Sequence, residues 1–362
     1  MRSPPNDEPE RENPAERQLD GVSGGIEELP KRVDRYSKAK QSALDVAKYM
    51  ASSTDHQAMA SKVTGCGDYL LFRHYHTVDT VRLHAAQFCK KHLLCPLCAI
   101  RRGAKSLAAY LARWEAIRAE KTALRPFLVT LTVKDGEDLD ERFRHLHASQ
   151  RELWKRKQRG RGSVLDGVAG AVWSYEVKRG LGSGLWHPHL HMIALAESPP
   201  DAAELAREWK NITVDSHVVD VRPIDQEDPV SGFIEVFKYA VKFSDQEPSD
   251  TVHAWQTLKG KRLLASSGIF RGVVVPDELT DDCSDLAGLP FMDMLYRHTR
   301  AGYTLQLVTP GQEPEKRLPR GGFSEARSTP SYTRDQFKKL YRQFQNDKAF
   351  DLARSERRRA YS

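Results

Sequence analysis

Hydrophobic and polar positions follow two different periods along the chain, and the change of period predicts where helices and strands lie. Residues 100–120 carry apolar side chains at helical spacing, among them Leu107 and Leu111. This spacing predicts an amphipathic helix. Residues 127–133 instead form a β-branched apolar run that stops at the turn signal of residues 135–136, and that pattern predicts a strand.

The same alternation of strands and helices continues toward the C-terminus. Further strands are predicted at 170–177, 187–194 and 214–222, and further helices at 37–59, 138–158, 201–211 and 231–243. From residue 127 onward the order is strand, helix, two strands, helix, strand, helix. That order is typical of an antiparallel sheet with helices packed on one face. We therefore predict an α+β fold with a central antiparallel sheet flanked by helices.

Amino-acid composition predicts where the ordered regions of the chain begin and end. Residues 1–35 are rich in Pro, Glu, Arg, Asn and Gly, which predicts a disordered N-terminal tail. We expect a helical, cysteine-rich region over 36–120, the sheet domain over 121–275, and a basic, partly disordered extension over 276–362.

Charge and hydropathy restrict the classes of partner. The chain has 56 Lys and Arg against 49 Asp and Glu, a formal charge of +7. This mild excess permits a polyanionic partner without requiring one. No run reaches the ~20 apolar residues of a membrane-spanning helix, and the first residues lack the apolar core of a secretory signal. We therefore expect a cytoplasmic protein without a membrane partner.

One basic cluster lies at the end of the predicted helix 138–158. Such a cluster suits contacts to DNA phosphates, and a solvated helix face is the alternative. Its members are Lys155, Arg156, Lys157, Arg159 and Arg161.

The most informative motif is the His-Pro-His-Leu-His sequence of residues 187–191. Because side chains alternate along a strand, His187, His189 and His191 all face one side of the predicted sheet. Imidazoles two residues apart on a rigid strand can bind the same divalent ion. Metal binding is therefore the better interpretation, and three partly exposed histidines on a sheet face are the alternative.

Glu176 is placed to add an oxygen ligand, which a metal ion that acts on phosphates usually takes. The glycine-rich segment 180–184 predicts a hairpin that folds the preceding strand back beside the histidines. A carboxylate within an apolar strand also needs a partner, because burying an unpaired charge is costly. The alternatives are a Glu176 that faces solvent and a His187 that serves as the third ligand.

A second candidate site lies on the predicted helix 231–243. Glu235, Tyr239 and Lys242 stand at positions i, i+4 and i+7, so they share one helix face. A nearby metal ion and a cation can favour the phenolate of a tyrosine and so make it a nucleophile. A carboxylate one turn away can activate water in a second step. The alternative is a tyrosine at the edge of the core beside a surface Glu–Lys pair.

The cysteines suggest a third site, since four of the five fall within a short stretch. Disulfides are not expected in a reducing compartment, and four thiolates suit a tetrahedral structural Zn²⁺. The alternatives are buried thiols with one redox pair, or His92 in place of the first cysteine. The four predicted ligands are Cys66, Cys89, Cys95 and Cys98.

The ordered set of these motifs resembles a known family. The strand 127–133, the histidine strand 187–191 and the helix with Glu235 and Tyr239 resemble the three motifs of rolling-circle replication initiators of bacterial plasmids, in the HUH endonuclease superfamily. Residues 88–102 resemble the cysteine segment of the same proteins. The resemblance covers roughly residues 62–275.

The resemblance implies a role for each matching residue and a fold with a central antiparallel sheet between helices. His189 and His191 match the metal-binding histidines, for which Mg²⁺ or Mn²⁺ would be the ion. Tyr239 matches the single nucleophilic tyrosine and Lys242 the lysine three residues after it. Glu235 matches the glutamate credited with the hydrolytic step that ends a round of replication.

The function implied is nicking of one strand of a plasmid origin, which leaves a 5′-phosphotyrosine and a free 3′-hydroxyl. Single-stranded or supercoiled origin DNA would then be the substrate, and a host helicase and DNA polymerase the expected partners. Two alternatives stay open at this point. One is a relaxase or transposase of the same chemistry, and the other is a zinc-stabilised DNA-binding protein that does not cut.

Overall fold

The computed structural model describes residues 24–160, 162–180, 182–238 and 246–311 of the chain. These residues group into two compact units. The first unit contains Ser42–Thr64 and Cys89–Leu279, and the second contains residues 24–41, Gly65–Phe88 and 280–311.

The helices and strands of the described residues are numbered in chain order. The helices are α1 (Leu29–Ala51), α2 (Gln57–Thr64), α3 (Pro96–Glu120), α4 (Leu139–Gln158), α5 (Ala202–Thr213), α6 (Pro229–Phe237) and α7 (Pro248–Leu258). The strands are β1 (Tyr69–Tyr75), β2 (Thr80–Ala86), β3 (Arg125–Thr132), β4 (Gly170–Arg179), β5 (Trp186–Ala196), β6 (Val219–Pro223), β7 (Leu264–Gly268), β8 (Met292–Thr299) and β9 (Gly302–Pro310).

The first unit is built on a five-stranded sheet with the order β6-β3-β5-β4-β7. Every neighbouring pair in this sheet is antiparallel. The predicted central antiparallel sheet with flanking helices is therefore confirmed, and the predicted strands near 127, 170 and 187 are β3, β4 and β5. The edge strand β7 was not predicted.

Helices cover both faces of this sheet, so the prediction that they lie on one face was wrong. One face carries Leu190 and Met192 and packs with Phe143 of α4 in a core that also includes residues of α5 and α7. The other face carries Ile193 and packs with Phe237 of α6 and with residues of α3. The end of β5 farthest from the histidines carries apolar side chains on both faces of the sheet. Each apolar face must be buried, so helices pack on both faces.

Local sequence signals fix the ends of several helices. The Asp138 side chain accepts hydrogen bonds from the main-chain N–H groups of Asp140 and Glu141, so α4 begins at Leu139. Such N-caps satisfy N–H groups that have no partner within the helix. Helix α6 begins at Pro229 and ends at Phe237. The last part of the predicted helix 231–243 lies outside the described residues from 239 onward.

The second unit contains a four-stranded antiparallel sheet with the order β2-β1-β8-β9. This sheet was not predicted from the sequence, and β8 and β9 lie within the segment predicted to be a C-terminal extension. Helix α1 begins at Leu29, so the tail predicted to be disordered up to residue 35 already holds helical residues. In this unit Arg32 of α1 pairs with Asp281 at 2.9 Å.

Residues 1–23 and 312–362 lie outside the described part of the chain, and so do the predictions of disorder made for them. Among the described helices, none has the length and the apolar character needed to cross a bilayer.

Candidate metal centre

The register of the central strands brings the predicted ligands to one place on the sheet. Glu176 of β4 lies directly opposite His189 of β5. On the other side of β5, Thr132 and Thr130 of β3 lie opposite His189 and His191. Residues directly opposite each other in an antiparallel pair have their side chains on the same face. The ligand face is therefore set by backbone pairing along three adjacent strands.

The Glu176 carboxylate lies between the two imidazoles. Its Oε1 is 3.3 Å from Nε2 of His189, and its Oε2 is 3.4 Å from Nε2 of His191. The three side chains are 0%, 6% and 11% exposed. A carboxylate so deeply buried requires charged or polar partners, and both imidazoles provide them.

The Nδ1 atom of each imidazole lies close to a hydrogen-bonding group on the side away from Glu176. His189 Nδ1 lies 3.4 Å from the main-chain oxygen of His187, which can only accept a hydrogen bond. His191 Nδ1 lies 3.1 Å from Oγ1 of Thr130. Bonds of this kind fix the tautomer and the orientation of metal-binding histidines. They leave both Nε2 atoms turned toward Glu176.

This donor set fits a divalent cation. The donor atoms of Glu176, His189 and His191 all lie within 4.8 Å of one another. Two ligands of an octahedral Mg²⁺ at ~2.1 Å from the ion stand about 3 Å apart, which is close to the observed separations. Imidazole nitrogen with carboxylate oxygen also suits Mn²⁺. The alternative is a carboxylate that pairs with two imidazoles in the absence of any metal ion. Treatment with a chelator distinguishes the two.

His187 faces the same side but is held differently. Its Nδ1 lies 2.5 Å from Oδ1 of Asp135, and the other carboxylate oxygen of Asp135 accepts a hydrogen bond from Ser183. Burial raises the pKa of Asp135, but the hydrogen bonds from Ser183 and His187 outweigh it and leave that pKa below its usual value. Among the described residues, the donor atoms that lie within 4.8 Å of one another are those of Glu176, His189 and His191 and not that of His187, so the geometry favours Glu176 as the third ligand.

Helix α6 packs on the sheet face that carries the histidines, since Phe233 and Phe237 lie in the same core as Ile193 and Val172. Glu235 lies on this helix and contacts Lys238, whose Nζ donates to Glu235 Oε1 at 2.6 Å. Tyr239 and Lys242 lie outside the described residues. The described chain stops at Lys238 and resumes at Gln246, whose Nε2 donates to the main-chain oxygen of Val177, next to Glu176.

Two other tyrosines of the first unit lie near this sheet, and both are packed. Tyr175 lies on the opposite face, donates to Gln150, and has its pKa raised by burial well above the usual value. Tyr110 lies on the side of α6, with its ring 5.2 Å from that of Phe237. A buried phenol with a raised pKa is a poor nucleophile, so Tyr175 does not suit the role of nucleophile. The ring of Tyr110 is packed against that of Phe237.

The cysteine segment lies at the start of α3. The Sγ atoms of Cys89, Cys95 and Cys98 lie within 4.8 Å of one another, and those of Cys89 and Cys98 are 3.6 Å apart. Cys95 is the N-cap of α3, and a helix N-terminus favours thiolates. These three residues can hold a metal ion. Cys66 belongs to the second unit, and its role as fourth ligand stays a prediction, as does the alternative with His92.

We expect Cys95→Ser to lose the zinc that purified, reduced wild type would carry at about one ion per chain. A lower Tm should accompany the loss, because zinc binding at such a site is coupled to folding. Elemental analysis and thermal melting measure both effects, with Cys283→Ser as the matched control. Wild-type protein that contains no zinc would contradict the zinc assignment.

The predicted DNA-binding cluster lies away from the histidines. Lys155, Arg156 and Lys157 occupy the last turn of α4, the helix that covers the opposite face of the sheet. Arg156 and Arg159 both contact Glu152, at 3.6 and 3.7 Å. Arg161 lies outside the described residues. A role of this cluster in DNA binding stays a prediction, and it would require DNA that extends around the sheet.

Comparison with known proteins decides the family. A family model described as Replication protein matches residues 80–290, more than half of the chain. The chain belongs to this family of replication proteins. The match contains β3, β4, β5 and α6, and it confirms the resemblance to rolling-circle replication initiators of plasmids.

Individual relatives agree with this membership. A protein named Protein rep from Streptococcus pneumoniae serotype 2 (strain D39 / NCTC 7466) is 28% identical over 236 residues, or 60% of this replication protein and 71% of the relative. Relatives of the same name from Lactiplantibacillus plantarum and Bacillus amyloliquefaciens are 27% and 24% identical. They cover 61% and 59% of this chain and 76% and 71% of their own. No solved structure matches the chain.

The family shows that the chain is a plasmid replication initiator. This favours the first interpretation of the sequence over a relaxase or a transposase. Three residues that contact predicted site residues were not predicted from the sequence. Thr130 was recognisable as a polar residue within an apolar strand, whereas Asp135 and Lys238 had no signal before their partners were known.

Proposed function

We propose that this replication protein nicks one strand of a plasmid origin by tyrosine attack and so starts rolling-circle replication. The observation that carries the proposal is the convergence of Glu176, His189 and His191 on the sheet face covered by α6. Helix α6 is followed directly by Lys238 and Tyr239. A buried carboxylate–imidazole set that binds a metal ion, combined with a tyrosine as nucleophile, suits attack on a phosphodiester.

In the first step the Tyr239 oxygen attacks phosphorus. The Tyr–O–P bond forms and the P–O3′ bond breaks. The phenol loses its proton, and the departing 3′ oxygen gains one. The products are a 5′-phosphotyrosine and a free 3′-hydroxyl that a polymerase extends. Because the covalent link conserves the energy of the phosphodiester, the step needs no ATP.

The residues of the chain hold the reacting groups in place. Thr130 and the main chain of β5 orient the two imidazoles, and both rings are largely buried. A divalent ion bound by His189, His191 and Glu176 would supply Lewis-acid polarisation of the phosphate. Lys242 would neutralise the charge that develops on the phosphate oxygens.

Termination requires a different nucleophile, because only one tyrosine matches the family motif. We assign this step to Glu235, which would take a proton from water as the water cuts the regenerated origin. That cut gives a 5′-phosphate and a new 3′-hydroxyl. The new hydroxyl then attacks the phosphotyrosine, which releases the circle and restores the phenol.

We expect Glu235→Ala to form the tyrosyl adduct at close to the normal rate and to lose about 10²–10⁴-fold in the hydrolytic cut, as is typical of general-base removal. On a circular template the variant should fail to stop and should produce multimeric single strands. Gel analysis of products from a plasmid that carries the origin measures both properties.

Glu227→Ala is the matched control, since Glu227 is exposed and lies just before α6. It should initiate and terminate like wild type. Normal termination by Glu235→Ala would remove the catalytic role of the glutamate and leave the assignments of tyrosine and metal untouched.

The direct test of the whole proposal uses labelled single-stranded origin DNA with Mg²⁺ or Mn²⁺. A covalent protein–DNA adduct supports nicking by transesterification. Binding without any adduct would instead support a zinc-stabilised protein that does not cut. We also propose a host helicase and DNA polymerase as partners, because the free 3′-hydroxyl must be extended on an unwound template.

A further inference from the structure

Lys238 is an unusual lysine because it is almost fully buried. Its side chain is 6% exposed, and its Nζ donates to Oε1 of Glu235 at 2.6 Å. The glutamate side chain is 21% exposed. Lysines are rarely buried unless they are paired, so the position of Lys238 depends on acidic or polar partners such as this carboxylate.

The pair differs from the surface pairs of the same unit. Glu115 and Arg118 stand at the same i, i+3 spacing on α3, but their side chains are 53% and 41% exposed. Exposed pairs of that kind contribute little and leave both side chains free to move. In the buried pair, the Lys238 ammonium limits the rotamers that Glu235 can adopt.

The position of Lys238 in the helix strengthens this restraint. Lys238 is the C-cap of α6, and its N–H donates to the main-chain oxygen of Ile234 at 2.9 Å. Phe237, the preceding residue, is fully buried in the core between α6 and the sheet. Both the backbone and the base of the lysine side chain are therefore fixed, so the ammonium can act as an anchor.

We propose that Lys238 is a positioning residue that holds the Glu235 carboxylate in place for the water-activating step. The inference rests on the proposed function of Glu235 in termination. A general base works only within hydrogen-bond reach of the proton that it removes, and a glutamate side chain has several rotatable bonds to restrain. Lys238 acts through Glu235 and has no role in attack by the tyrosine.

The test isolates the hydrolytic step by occupying the tyrosine first. Full-length protein is allowed to form its adduct on an origin oligonucleotide, the adduct is purified from free DNA and from unreacted protein, and a second, labelled origin oligonucleotide is added with Mn²⁺. Cleavage of the second oligonucleotide then requires water. Adduct formation on the first oligonucleotide is timed separately, so each variant gives two rates.

The variants form a double-mutant cycle of Lys238→Met, Glu235→Ala and the combination. Methionine is unbranched like lysine, is one atom shorter, carries no charge and suits burial. We expect Lys238→Met to form the adduct at close to the wild-type rate and to hydrolyse the second oligonucleotide about 10–100-fold more slowly, the effect of a misplaced catalytic group. The combination should hydrolyse no more slowly than Glu235→Ala alone, because residues that act as a unit are not additive.

Each other outcome overturns the inference. Hydrolysis by Lys238→Met at or above the wild-type rate shows that the lysine does not position the glutamate. If Lys238→Met slows adduct formation and hydrolysis equally, the lysine has a purely structural role. If the double variant hydrolyses more slowly than Glu235→Ala alone, the lysine acts independently of Glu235. Lys238→Gln, which keeps a donor without the charge, carries the same test if the methionine variant fails to fold.

The inference can fail while the proposed function stands. Slow hydrolysis by Glu235→Ala together with normal hydrolysis by Lys238→Met removes only the role of the lysine. Normal hydrolysis by Glu235→Ala removes the role of the glutamate and that of the lysine with it.

Discussion

Replacing Tyr239 with phenylalanine is expected to abolish both strand cleavage and the covalent adduct. Phenylalanine keeps the ring and removes only the attacking oxygen, so the loss should reach about 10⁴-fold or more, as for other catalytic nucleophiles. DNA binding should stay nearly intact, because it depends mainly on contacts to phosphates. Denaturing gels with labelled origin DNA measure the adduct, and mobility shifts measure binding.

Tyr49→Phe and Tyr110→Phe are the matched controls for this substitution. Tyr49 is exposed, and Tyr110 is packed beside Phe237 on the same side of the sheet as α6. Both variants should form the adduct at the normal rate. An adduct formed by Tyr239→Phe at the wild-type level would show that another tyrosine is the nucleophile.

His189→Ala and His191→Ala should each reduce the rate of metal-dependent nicking by more than about 100-fold. Replacing a residue that only supports a metal ligand typically costs about 10–100-fold in metal affinity or activity, and losing the ligand itself should cost more. EDTA should inactivate the wild type to the same degree, and added Mn²⁺ should restore it. The nicking rate is measured on a supercoiled plasmid that carries the origin. Nicking at the full rate in EDTA would falsify the metal assignment.

Two variants refine the ligand set. Thr130→Val removes the hydroxyl that contacts His191 Nδ1 and should lower metal affinity by about 10–100-fold. Glu176→Gln should also weaken binding; an unchanged affinity would move the third ligand to His187. His217→Ala, at an exposed position of the same unit, is the control and should bind metal like wild type.

The sequence predicted best the elements whose hydrophobic pattern is long and sharply bounded. The predicted strands at 170–177 and 187–194 correspond to β4 and β5, since both are apolar runs next to a glycine-rich turn. The strand predicted at 214–222 begins later, at Val219. Val214 and Val218 are exposed in the loop before it, so β-branched residues alone did not mark the strand.

Elements that depend on distant partners were not predictable in the same way. The edge strand β7, with the sequence Leu-Ala-Ser-Ser-Gly, has no apolar run and exists through pairing with β4. The second sheet joins β1 to β8, which lies more than 200 residues later in the chain. Local periodicity contains no information about such pairing.

The residues of the candidate site likewise divide into those that local pattern predicts and those that depend on packing. The histidines and Glu176 were predictable, because strand alternation and a hairpin already place them on one face. The buried contact of Lys238 with Glu235 was not, since the sequence offers Lys238 and Lys242 at similar helical spacings from that glutamate. Packing against the core, which the local sequence does not specify, buries Lys238 beside Glu235.

The central position of β5 links the metal centre to the stability of the protein. Its amides lie between β3 and β4 under helices on both faces, so we expect them to exchange with solvent mainly through global unfolding. An ion held there binds the native state and not the unfolded chain, and each tenfold excess over its Kd adds about 1.4 kcal/mol to the stability of the first unit. A divalent ion bound by these strands would therefore also raise the free energy of unfolding of the first unit, and thermal melting with and without EDTA would measure that gain.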